Sequence, residues 1–263
     1  MHPLLQSLSV GQVTLANRLV MPPMATSKAN PDGRVSRALL DYYDEKSSGG
    51  YVPLIIVEHS YIKPEGKAGQ GQLSVADDAV ITGLRELAEV LHKNGSKGII
   101  QMNHAGSAAK EEVICTKPVG PSAVAHPRGG AIPRELTPEE IGELVTAFAA
   151  AASRAKAAGF DGVEIHSAHG YLLNQFYSPL TNRRTDEYGG ELLNRIRIHL
   201  HVIAAIRAAV GEDFLVLLRL GASDYTAGGT TVEDSQIAAG EFERAGVDIL
   251  DISGGFCSYS VPG

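Results

Sequence analysis

Gly159-Phe160-Asp161-Gly162-Val163-Glu164-Ile165-His166-Ser167-Ala168-His169-Gly170-Tyr171 is the stretch that decides the fold and locates the site. Its first glycine stops a helix, a short run with β character follows, and two histidines and a tyrosine then come within six residues. Phe160, Val163 and Ile165 give a strand something to bury. Polar groups packed just past a strand's carboxyl end have no core to serve, so they read as a site.

The same unit repeats on both sides of this stretch. Upstream, Leu54-Ile55-Ile56-Val57 is an uninterrupted apolar run, the mark of a strand covered on both faces. A helix is expected from Asp78, as cap, through His92, with Leu84, Leu87, Ala88 and Leu91 at helical spacing and Asn94-Gly95 as its stop. The strand Gly98–Met102 follows. Thr137-Pro138-Glu139-Glu140 predicts a capped helix start, with Pro at its first position, for a helix running to Ala158. Downstream, a helix over Asn194–Val210 feeds a strand at Phe214–Arg219. Thr230-Thr231-Val232-Glu233 offers a second capping box for a helix to Ala245, and the strand Asp248–Ser253 comes next.

Helices alternating with short apolar strands imply an α/β fold with a mainly parallel sheet, doubly wound or closed as a (β/α)8 barrel. The TIM barrel is favoured. No glycine-rich phosphate fingerprint follows an early strand, and chemical-looking residues stand at the end of nearly every strand. At the N-terminus, Leu8 and Val10, a Gly11-Gln12 turn, then Val13 and Leu15 predict a β-hairpin that could plug the barrel's opposite end. A strand at Arg18–Met21, stopped by Pro22-Pro23, and a helix over Ser36–Ser48 complete the opening. Only about six βα units are visible, so residues 1–263 read as a single barrel domain that is incomplete at its C-terminus.

Composition narrows the function. A net charge of −7 argues against nucleic acid or an anionic membrane surface as the main partner. There is no apolar run of about 18 residues for a membrane span. The start of the chain carries no secretory pattern, and two distant cysteines, Cys115 and Cys257, make no disulfide framework. A cytoplasmic protein is expected, with both cysteines as inert, small apolar residues.

The strand ends assemble the candidates: Pro23, Met24 and Ala25; Glu58 and His59; Gln101 and His104; His166, His169 and Tyr171; Arg219; and Ser253-Gly254-Gly255. Arg219 closes an apolar run, where its permanent charge is costly to bury unless it meets an anionic group.

These residues resemble the Old Yellow Enzyme family of FMN-dependent ene-reductases. The match runs through Gly159–Leu173, Phe176, Ser178-Pro179, Asn182-Arg183-Arg184-Thr185-Asp186-Glu187-Tyr188-Gly189-Gly190 and Asn194-Arg195. It is supported by Asn17-Arg18, Pro22-Pro23-Met24, Gln101 with His104-Ala105-Gly106, and Arg219 with Ser223-Asp224. The resemblance extends over the whole sequence and stops where the family's last two barrel units, with their phosphate-binding loops, should begin.

The resemblance implies that FMN takes hydride from NADH or NADPH and passes it to an alkene activated by a carbonyl or nitro group. It implies that His166 and His169 bind the substrate's carbonyl oxygen and that Tyr171 supplies the proton. Arg219 and Gln101 would meet the flavin, with Pro23, Met24, Ala25 and His59 supplying backbone contacts to its ring. Ala25 departs from the cysteine or threonine of other members, which removes a polar contact that tunes the flavin. Ser27 stands where relatives often place a tyrosine over the substrate, which implies a wider pocket. The implied partner is a small electrophilic alkene; a homo-oligomer is possible.

Simpler roles compete. His104 alone would be an ordinary loop residue, Arg219 could pair with Asp224 or Glu164, and Arg183 and Arg184 could brace Asp186 and Glu187. A zinc-dependent barrel hydrolase using His166, His169 and Glu164 is one alternative, although a helical His-Glu-x-x-His pattern is absent. A non-catalytic, degenerate barrel is another.

Overall fold

The computed structural model describes residues 2–256. β1 (Leu8–Val10) and β2 (Val13–Leu15) form the antiparallel hairpin, turning at Gly11. β3 is short, Val20–Met21. Ser36 caps α1 (Arg37–Ser47) by accepting the amide of Leu39, and β4 (Leu54–Tyr61) follows. α2 spans Ile81–Lys93 and buries Leu84, Leu87, Ala88 and Leu91, as their spacing predicts. It leads into β5 (Lys97–Asn103).

Between β5 and the next long helix the chain makes an excursion. It comprises the short helix α3 (Glu111–Ile114) and the paired β6 (Val119–Gly120) and β7 (Arg134–Glu135), which the sequence did not announce. α4 (Pro138–Ala158) starts with the expected reciprocal cap between Thr137 and Glu140 and ends at Gly159 in the left-handed region, φ 94°. β8 (Gly162–Ser167), α5 (Leu172–Tyr177), α6 (Leu192–Arg195), α7 (Arg197–Val210), β9 (Leu215–Gly221), α8 (Val232–Arg244) and β10 (Ile249–Ser253) complete the order.

The main sheet runs β10-β9-β8-β5-β4-β3, every neighbouring pair parallel. This is the predicted succession of barrel strands, curled into an open half-barrel whose end strands β3 and β10 each have one partner in the sheet. The outward side chains Ile55, Val57, Ile100, Met102, Val163, Ile165, Val216 and Leu218 pack in one cluster with residues of α1, α2, α4 and α7. On the inner face Leu54, Ile56, Ile99, Leu215 and Leu217 cluster with Leu15 of the hairpin, and Val10 and Val13 pack against them. The hairpin therefore plugs the amino-terminal end, as expected.

Paired residues on neighbouring strands share a face, so the register shows how the interior changes along the strands. Ile99 stands opposite Gly162, which stands opposite Leu215. One layer up, Gln101 pairs with Glu164, Glu164 with Leu217, and Leu217 with Ile249. In the next layer His166 pairs with Arg219 and Arg219 with Asp251. The interior grades from apolar at the hairpin end to charged at the carboxyl end.

Several local expectations change. Asp77, rather than Asp78, caps the turn before α2 by accepting the amide of Ala79, because the Asp78 carboxylate is held by Arg154 at 2.7 Å. The second capping box is Thr231 with Asp234, one residue later than expected, because Thr230 donates its amide to Asp224 at 2.7 Å. The helix expected over Asn194–Val210 divides at Ile196 into α6 and α7, where the Arg195 guanidinium reaches back to the carbonyls of Tyr177 and Gly190. Cys115 is exposed and ends α3 in a left-handed conformation, so it is no core residue; Cys257 lies outside the described residues. No helix among the described residues is long and apolar enough to cross a membrane.

Candidate active site

The carboxyl ends of the strands converge on a cavity of about 380 Å³. Pro23, Met24 and Ala25 line it from the loop after β3, His59 from β4 and Gln101 from β5. His166 of β8, His169 and Tyr171 just beyond it, Arg219 of β9 and Ser253 of β10 close the ring. All of the expected catalytic and cofactor-binding positions therefore meet in one place. Ser27 does not line this cavity; its backbone turns through a left-handed φ of 56° and its side chain is exposed. His104 also stays apart. It is buried, with Nδ1 accepting the amide of Gly106, which is a structural role.

The loop after β8 is held in an unusual shape. His169 has a left-handed φ of 61°, a region a β-carbon disfavours, so surrounding bonds must stabilise it. Arg128 donates to the His169 carbonyl at 2.9 Å, and Gln175 Nε2 donates to the Gly170 carbonyl at 2.7 Å. Asn174 Oδ1 accepts the Gly170 amide at 2.8 Å. The result places the His166 and His169 rings edge to face, centroids 5.3 Å apart, with the Tyr171 ring 5.1 Å from that of His166. His169 Nε2 also lies 2.7 Å from Ser253 Oγ.

Burial governs the charges here. It pushes the imidazolium of His59 down to about 4, that of His169 down to about 4, and that of His166 well below the usual range. All three rings are neutral at pH 7, so each offers one N–H and no positive charge. His59 Nδ1 accepts from Gln72 and Asn103, which assigns its proton to Nε2. Its main-chain carbonyl also accepts from Gln72.

Two polar pairs lie beneath and beside the histidines. Gln101 donates Nε2–H to Glu164 Oε2 at 2.6 Å, and Arg219 Nε lies 3.2 Å from Asp251 Oδ2. Asp251, rather than Asp224 or Glu164, is thus the partner of Arg219, as their direct register requires; Asp224 instead accepts from Ser178 and Thr230. Arg219 Nε, Asp251 Oδ2 and Glu164 Oε1 nevertheless lack a well-directed hydrogen bond. Burial, helped by the charge of Asp251, raises Glu164 to about 8, with Arg219 and Gln101 opposing.

The sequence offers Glu164 only as a partner for Arg219 or as a zinc ligand, and it does not single out Asp251. The only sequence signal for them is a polar residue at an inward position of an apolar strand, Glu164 two before His166 and Asp251 two before Ser253. No group of three or more His, Cys, Asp or Glu among the described residues is arranged to hold a metal ion. The zinc reading therefore finds no supporting geometry.

Comparison with known proteins agrees with this arrangement. Residues 3–255 match the NADH:flavin oxidoreductase / NADH oxidase family. The chain is 46% identical over 248 residues to an NADH oxidase of Thermoanaerobacter brockii, covering 94% of this chain and 38% of that protein. A 2-naphthoyl-CoA reductase structure superposes with a TM-score of 0.93 at 30% identity, covering 97% of this chain and 41% of that one. An Old Yellow Enzyme homologue from Zymomonas mobilis superposes with a TM-score of 0.87 at 30% identity, covering 95% and 72%. The chain thus spans well under half the length of the first two relatives. With the family match across almost its whole length and the carboxyl-end cavity shared by six barrel strands, the chain belongs to the NADH:flavin oxidoreductase / NADH oxidase family, that of the Old Yellow Enzymes.

Proposed function

We propose that this site binds FMN and reduces the C=C bond of an alkene conjugated to a carbonyl or nitro group, using hydride from NADH or NADPH. The observation that carries the reading is the convergence of His166, His169, Tyr171, Gln101 and Arg219 on one cavity. The residues present suit a flavin ring: a buried amide at Gln101, a guanidinium whose Nε lacks a directed partner at Arg219, and a flank of Pro23, Met24 and Ala25. Bound FMN would supply the hydride.

The chain's own residues then have distinct tasks. His166 and His169, both neutral, donate N–H bonds to the substrate's carbonyl oxygen and stabilise the negative charge that develops there. Tyr171, beside His166, delivers the proton to the α-carbon. Arg219, held by Asp251, would supply positive charge to stabilise the reduced flavin. Gln101 and Arg219 would hold the flavin ring, and Ala25 would offer it no polar contact. We read residues 1–263 as part of one barrel domain with this site at its carboxyl end.

The test is optical. The protein should take up FMN and turn yellow, bleach anaerobically with NADPH or NADH, and recover its colour on adding cyclohexenone. Protein that cannot be loaded with FMN, or that stays bleached with every activated alkene, overturns the proposal. Aryl acyl thioesters belong in that panel, since the naphthoyl-CoA reductase above is named for one.

A further inference from the structure

Glu164 is wholly buried at the centre of the half-barrel, yet no step of the proposed reaction uses it. Its strand neighbour Gln101 is itself 1% exposed and lines the cavity. The two are in direct register on adjacent parallel strands, and Gln101 Nε2 lies 2.6 Å from Glu164 Oε2.

An amide side chain is chemically two-ended: one end donates twice, the other only accepts. Rotating it by half a turn exchanges what the cavity sees. Nothing else described at Gln101 chooses between the two orientations, because the bond to Glu164 is its one side-chain hydrogen bond. Glu164 Oε2 is the acceptor, so the bond comes from Nε2. Gln101 is then left with Oε1 and the second Nε2 hydrogen for a ligand.

We propose that Glu164 is a positioning residue that fixes the Gln101 amide and thereby selects a ring edge in which an N–H adjoins a carbonyl. In naming that edge the inference rests on the flavin reading, since the pyrimidine end of a flavin is such an edge. The neighbouring charges are consistent with this. Arg219 is drawn toward Asp251 rather than Glu164, which leaves Glu164 Oε2 free for Gln101. Burial raises Glu164 to about 8, and a proton held on Oε1, the oxygen with no hydrogen-bond partner, leaves Oε2 as the acceptor of the Gln101 bond.

The experiment compares wild type and Glu164→Leu in two measurements. Fluorescence titration of the flavin-free protein with FMN and with 3-deaza-FMN, which has carbon in place of the N3–H, measures selectivity. One hydrogen bond predicts about tenfold preference for FMN in wild type, reduced to about twofold or less in Glu164→Leu. Nitrogen-15 spectra without ligand follow the Gln101 side-chain protons, which should exchange slowly in wild type and quickly in Glu164→Leu. Unchanged selectivity in Glu164→Leu, with FMN still bound, overturns the inference. Rapid exchange of the wild-type Gln101 protons overturns it too, even if Glu164→Leu does not fold. Failure of wild type to bind FMN overturns the flavin reading instead, and the exchange measurement then decides the Glu164–Gln101 arrangement alone.

Discussion

His166, His169 and Tyr171 occupy six residues of sequence but perform through different atoms. Replacing Tyr171 with Phe removes the hydroxyl and keeps the ring packed edge-on to His166 and tilted against His59. Stopped-flow measurement should show unchanged flavin reduction and an alkene half-reaction slower by about 10²–10⁴-fold; equal slowing of both steps would refute the acid assignment. Replacing both His166 and His169 with Ala should abolish the charge-transfer band that a phenol raises with bound flavin. A band of unaltered strength would rule out their oxyanion role.

Two buried carboxyls give the residue scale a pH dependence. Burial raises Glu58 to about 7 and Glu164 to about 8, above the ordinary carboxylate value of 4.5. Both hold their proton more tightly in the folded state than in the unfolded one. Their stabilising effect is therefore complete below about 4.5 and declines as the pH rises through 7 and 8. Glu164→Gln removes one of these titrations. Urea unfolding at pH 5 and pH 9 should show a smaller loss in the variant, by an amount on the order of a few kcal/mol. Equal losses would mean that Glu164 does not titrate in this range.

At the scale of elements, the site depends on how β8 is started and how the following loop is braced. Gly162 opens β8 because a β-carbon there would lie 2.5 Å from the Leu215 carbonyl and 2.8 Å from the Ile99 side chain. Gly162→Ala should destabilise by about 1–3 kcal/mol in denaturant unfolding, a cost that an unchanged midpoint would disprove. Further on, Arg184 is buried, bonding the Pro121 and Leu136 carbonyls and pairing with Asp186. The bracing role expected for this arginine is what the structure shows. Arg183 differs, since its described contact is a main-chain bond to Ser122. Arg197, rather than Arg183, stands near Glu187.

For the whole molecule, the half-barrel leaves two strand edges and an apolar hollow of about 490 Å³ between the hairpin and β10. Val20 is 46% exposed on β3 and Ile252 is 59% exposed on β10. Both side chains line that hollow, opposite the hairpin's Leu8, Val10 and Leu15.

Much of this architecture was legible without coordinates. Period, caps and glycine stops identified the six barrel strands and the helices between them, because a buried parallel strand needs a continuous apolar run and helix ends need polar caps. Thr137 and Glu140 illustrate it: capping is local chemistry, complete within four residues. Where a long-range partner intervened, local signals failed. Asp78 pairs with Arg154, 76 residues on, and leaves the cap to Asp77, while Thr230 bonds Asp224 across the loop and leaves its cap to Thr231.

The order of the six barrel strands and of the main helices between them, with most of the strand-end residues that line the cavity, followed from periodicity and alternation alone. Only the tertiary structure decided that Arg219 answers to Asp251, that Glu164 holds Gln101, and that Ser27 turns away from the cavity. Pairings between strands depend on register, and register is set by packing across the sheet rather than by the residues of any one strand.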